Sequence, residues 1–250
     1  MGETQRDLLR AAIRAWMLDL DHYPGWREWR RKRISSVLDF EDPAPPLSEK
    51  PEREFKFSDE VGKQHLVIMH YLELEVSIDS LKECEFYFRR YPFRGLPVTR
   101  QRHIANVCEM YFGRFYEFRE RLKKHFGAMK AVAPTDNLDV GGFLKTFDKV
   151  FDSELRERHQ VHHHRRFEDI GLDLILLTES AAVARLGEGW RKRHLAAYRK
   201  VASEWAQRVR RRGNKLDEFL EVVAAVTLSN CSFLSPTEAG PRSAAKGRAA

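Results

Sequence analysis

The stretch SDEVGKQHLVIMHYLELEVSIDSLKECEFYF, residues 58–88, decides the fold. Ser58 followed by Asp59 and Glu60 reads as a helix start: a side-chain oxygen there accepts from orphan amides, and acids favour the positive end of the helix dipole. Val61, Leu66, Met69, Leu72, Val76, Leu81, Cys84 and Phe88 then recur near helical spacing, and Pro92, Gly95 and Pro97 close the run. Thr99 caps a second long helix through Ile104, Val107, Tyr111, Phe115, Phe118, Leu122 and Phe126. Two helices of this length joined by a short turn predict an antiparallel hairpin.

Working outward, Leu9, Ile13, Trp16 and Leu20 give a first helix that Pro24 and Gly25 end. Residues 26–57 hold Trp26, Trp29, the run Arg30 to Arg33 and then Pro43, Pro45, Pro46 and Pro51. They read as a basic, Pro-rich arm with at most a short helix at its start. Beyond a turn at Pro134–Asn137, a third core helix runs through Val140, Phe143, Phe147, Val150, Phe151 and Leu155 into Arg158. Ile170–Leu177 is read as helix, since no partner strand exists elsewhere. Gly187 and Gly189 mark a break. A basic amphipathic helix from Trp190 to Arg212 follows, then Gly213 and a last apolar helix from about Leu216 to Leu228. The expectation is an all-α antiparallel bundle of five to seven helices. It divides into an N-terminal helix and arm (1–57), a bundle (58–233) and a disordered tail (234–250).

Hydrophobic residues make up 42% of the chain and charged residues 32%, which fits a globular core under a charged surface. From Arg185 to Lys215 there are eleven Lys or Arg against Glu188 and Glu204, an excess larger than the +7 of the whole chain. The remainder is therefore slightly acidic, and the basic segment points to a polyanionic partner. Cys84, Cys108 and Cys231 lie far apart with no CxxC pair, which argues for a reducing, cytoplasmic setting and against structural zinc. The apolar stretch 8–20 is broken by Arg10, Arg14 and Asp19, so no membrane association is expected. Walker, dinucleotide-binding and serine-elbow motifs are absent from the sequence, which disfavours ATP-dependent phosphotransfer and Rossmann-type redox chemistry.

Chemistry concentrates in residues 156–166, Arg-Glu-Arg-His-Gln-Val-His-His-His-Arg-Arg. Helical geometry sets His159, His162 and His163 on one side. A histidine near neutral pKa takes or gives a proton, and Arg158 offers a permanently charged fork to phosphorane oxygens. Together they supply the minimum for attack on a phosphodiester by the neighbouring 2′-hydroxyl. A metal pair at His159 and His163 is opposed by the surrounding Arg156, Arg158, Arg165 and Arg166, so neither metal nor cofactor is expected. The plain structural alternative is a basic cluster complementing a helix C-terminus.

Arg158, a polar residue and then His163 after four intervening positions, at the end of a core helix, resembles the HEPN superfamily across roughly residues 58–230. His159 replaces the usual Asn, and His162 stands where relatives are often aliphatic, so His162 or His164 competes with His163 as the working imidazole. Phe167-Glu168-Asp169 resembles the family's continuation into its next helix. The resemblance implies a homodimer with Arg–His pairs in a composite cleft, acting as a metal-independent endoribonuclease in toxin–antitoxin or defence systems. Arg158 and His163 would then be catalytic, with His159 orienting them and RNA and an antitoxin as partners. Other members have lost activity, which implies the alternative of an inactive module binding RNA, nucleotide or a protein.

On the basic helix, Arg191, Lys192, Arg193, Arg208, Arg210, Arg211 and Arg212 are candidate contacts to single-stranded RNA. Trp190, Tyr198 and Trp205 lie among them, either stacking bases or packing inward.

Overall fold

The computed structural model describes residues 2–38, 55–93, 95, 97–133, 138–163, 167–184, 187 and 189–235, without the side chains of 35–38 and 162–163. The expected turn at 134–137 and tail from Pro236 onward lie outside the described residues. Every regular element among the described residues is helical: α1 (Gln5–Asp19), α2 (Trp26–Leu38), α3 (Asp59–Arg89), α4 (Arg100–Val132), α5 (Val140–Val150), α6 (Asp152–His163), α7 (Ile170–Val183) and α8 (Trp190–Asn230), with short 3-10 turns at Leu20–His22 and Ser232–Leu234. The all-α bundle is as expected. No helix among the described residues is long and apolar enough to cross a membrane.

The α3–α4 hairpin forms as its sequence predicts. Thr99 Oγ1 accepts from Arg102 N at 3.1 Å, and all seven apolar positions named on α4 are buried. His103 reaches the Tyr87 carbonyl while Arg121 binds Ser77, so numbers rise on one helix as they fall on the other. Two details differ. Ser58 caps α3 through its backbone carbonyl, which accepts from Gly62 N at 2.8 Å, and its side chain makes no capping bond. Leu66, Met69 and Val76 point outward, and the core is built instead from Val67, Ile68, Tyr71, Leu74 and Ile78. Residues 66–69 are all apolar, so periodicity alone selects no face there; packing against α4 and α8 does.

α8 runs along this hairpin as one helix of 41 residues, about 60 Å long. Sequence reading breaks it at Gly213, but the glycine serves packing. It is buried against α3, where a Cβ would stand 3.0 Å from Lys82 Cγ. Trp205 stacks on Phe88 of α3 at 5.5 Å and meets Tyr111 and Phe112 of α4 edge-on.

The third core helix is two helices. Phe151 (φ −113°, ψ 23°) separates α5 from α6, with its ring buried against Phe115 and Phe147. The Val150 carbonyl just before it accepts from Arg212 Nη1 of α8 at 3.3 Å. The start of the expected arm is helix: α2 follows a turn at Gly25 (φ +79°), and Trp26 packs on Trp29, Phe55 and Phe57, while the proline-containing stretch 39–54 lies outside the described residues. The buried Leu9, Ile13 and Trp16 of α1 belong to the same core as the hairpin.

Candidate functional site

α6 carries the motif; it packs along α4, and one buried carboxylate ties its first turn to α8. Glu154, with none of its surface exposed, accepts at Oε1 from Arg208 (Nη2 2.9 Å, Nε 3.2 Å) and Arg212 (Nε 3.0 Å) of α8. Ser153 Oγ donates to the other carboxylate oxygen at 2.8 Å and accepts from Arg212 Nη2 at 3.1 Å. A lone buried carboxylate costs several kcal/mol, and two guanidinium partners offset that cost. The triad pins the start of α6 to the middle of α8.

One turn further, on the same stripe of α6, lies Arg158. It is half-buried, with its guanidinium carbon 3.8 Å from the centroid of the Tyr116 ring on α4. The stacking fixes the cation by its face and leaves its in-plane N–H fork as the chemically useful edge. Arg156 is exposed and pairs with Asp152; His159 is exposed; Val161 packs against the core. The α6 backbone is helical through His163, while the side chains of His162 and His163 and the whole of His164, Arg165 and Arg166 lie outside the described residues. The chain returns at Phe167, buried between Phe112 and Trp205 at 5.3 and 5.4 Å. Asp169 then caps α7, its Oδ1 accepting from Gly171 N at 2.7 Å.

The basic residues of α8 do not form one surface. Arg208 and Arg212 are held by Glu154, and Arg210 binds Glu85 of α3 at 2.5 Å. Arg191, Lys192 and Arg193 lie about 30 Å away along the axis from Arg212. There Arg193 covers the Trp190 ring at 5.0 Å, and Arg191 lines a separate cleft of about 330 Å³ with Arg100, Glu179 and His194. Tyr198 and Trp205 are buried, so of the two openings left by the sequence the inward packing holds for both.

What the fold does assemble is a cleft of about 470 Å³ lined by Ser153, Arg208, Arg211, Arg212 and Lys215. Sequence reading missed Lys215 and Ser153. The signal was available for the lysine: 208, 211, 212 and 215 fall at i, i+3, i+4 and i+7, one face of a helix. Nothing in the sequence announced Ser153, because it meets that face only through tertiary packing.

Other titratable groups are built for the interior. The three cysteines are free and buried, and burial pushes the Cys84 and Cys231 thiols up to about 12. Their thiolates are scarce at neutral pH. His65 lies against Trp16, Trp26 and Phe57, and burial lowers its pKa. His70 contacts Glu73 at 3.3 Å. Among the described residues no three His, Cys, Asp or Glu side chains cluster closely enough to hold a metal ion.

No family model, curated protein or solved structure matches this chain.

Proposed function

We propose that this chain is a HEPN-like endoribonuclease that cuts RNA without a metal, as a toxin or defence effector held in check by an antitoxin. The observation that carries the reading is Arg158 clamped on Tyr116, on the same helix as His163. In this scheme a histidine of the pair takes the 2′-hydroxyl proton as that oxygen attacks phosphorus. The 5′-oxygen leaves with a proton supplied by a second, protonated imidazole of the dimer cleft or by water, giving a 2′,3′-cyclic phosphate. Arg158 stabilises the charge gathering on the non-bridging oxygens, and His159 orients the pair. Arg158→Ala or His163→Ala is expected to abolish cleavage while circular dichroism keeps its helical signature.

The reading includes a homodimer. In its support, α7 begins seven residues after His163 and turns Ile170 (89% exposed), Leu174 (44%) and Leu177 (68%) to solvent on one side. An aliphatic face of that kind favours a partner.

A second reading, a non-catalytic RNA-binding module, is favoured by the cationic cleft on α8, which needs no working histidine. Wild-type protein that binds RNA and leaves it intact in every buffer would select it.

A further inference from the structure

We infer that the cleft of Ser153, Arg208, Arg211, Arg212 and Lys215 is a phosphate subsite that holds the backbone of single-stranded RNA upstream or downstream of the motif on α6. The inference rests on the RNA reading above but not on cleavage.

Four cations line this one cleft, and a single carboxylate, Glu154, is shared by two of them. Arg208, Glu154 and Arg212 together retain one positive charge. Arg212 is immobilised by Glu154, Ser153 and the Val150 carbonyl, so the floor of the cleft is preorganised. The rim is different. Arg211 is exposed and makes no ion pair among the described residues, and Lys215 has only an exposed i,i+3 contact with Glu218 at 2.8 Å. Exposed pairs of that kind are worth little and exchange readily for a better anion. Like charges on adjacent turns of one helix repel, which an incoming phosphate relieves.

A planar guanidinium and a flexible ammonium together suit a tetrahedral, multiply accepting anion. The cleft is open, as a passing strand requires. Ser153 and His163 are ten residues apart on α6, about 15 Å along its axis, so a strand a few nucleotides long spans both.

The test uses full-length protein and a fluorescent 2′-O-methyl oligouridine, which lacks the attacking hydroxyl, in anisotropy titrations across a salt series. The double variant Arg211→Gln/Lys215→Gln alters two exposed side chains. It should raise the Kd about tenfold and lower the salt slope by about 1.4, two phosphates' worth for a single strand. The control Arg14→Gln/Lys63→Gln removes two exposed cations from α1 and α3 and should leave Kd and slope unchanged. Unchanged binding by the first variant, or an equal loss in the control, overturns the subsite. So does tight binding of inorganic pyrophosphate with no binding of the oligonucleotide. Wild type that binds through the cleft but never cuts unmodified RNA removes the nuclease reading and keeps the subsite. Cleavage with an unchanged KM in the double variant does the reverse.

Discussion

His125 shows how a single residue sets a pH limit. It is fully buried on α4, its Nε2 lies 2.9 Å from Thr227 Oγ1, and burial pushes its pKa down from 6.5 to about 3. Between those values the unfolded chain binds a proton that the folded chain refuses, so stability falls as pH falls. The loss begins near 6.5 and continues toward 3, amounting to about 2 kcal/mol between pH 7 and pH 5. Burial lowers the pKa of His65 and His194 too, with the same sign. Urea midpoints of wild type and His125→Gln, measured at pH 7 and pH 5, should show a shallower pH slope in the variant. Equal slopes would remove His125 as the cause. At the motif, Arg158 was legible as a basic residue on a helix, because residue type and apolar spacing suffice to place it there. Its clamp, Tyr116, was invisible because only tertiary packing brings α4 there.

At the scale of elements, α6 lies along α4, and an ion-pair network ties its first turn to α8. Among the described residues Glu154 is the one acid that Arg208 and Arg212 bind, and removing the carboxylate leaves the two guanidinium groups facing each other. Glu154→Ala should cost about 3 kcal/mol and reduce RNA cleavage through displacement of α6. Thermal unfolding measures the first effect, and a melt within 1 kcal/mol of wild type, a margin set by ordinary surface substitutions, would contradict the role assigned to the triad. Helix existence was readable from apolar periodicity at α1, α3 and α4, and at α7 only from the want of a partner strand. Helix ends and joints were not. Gly213 looked like a break because glycine usually is one, yet here the missing Cβ admits Lys82. Phe151 looked continuous because its apolar spacing fits a helix, yet Arg212 draws off the carbonyl beside it. Both errors come from partners more than fifty residues distant in the chain. The basic helix was legible as basic, but which of its arginines serve Glu154 or Glu85 depends on the fold.

For the whole molecule, the core joins α1 to the hairpin and α8, and α7 lies at its edge with aliphatic residues outward. The proposed homodimer uses that face. Sedimentation should give a dimer for wild type and a monomer for Ile170→Glu/Leu177→Glu; a variant that sediments as wild type would place any dimer interface elsewhere. The central claim, that the Arg158–His163 helix cuts RNA without a metal, is tested most directly by incubating purified wild type and Arg158→Ala with unmodified RNA in a chelating buffer and resolving the products. Wild type should leave 2′,3′-cyclic phosphate ends and the variant should leave the RNA intact. Cleavage of equal rate in both, or cleavage by wild type only when divalent metal is restored, would contradict it.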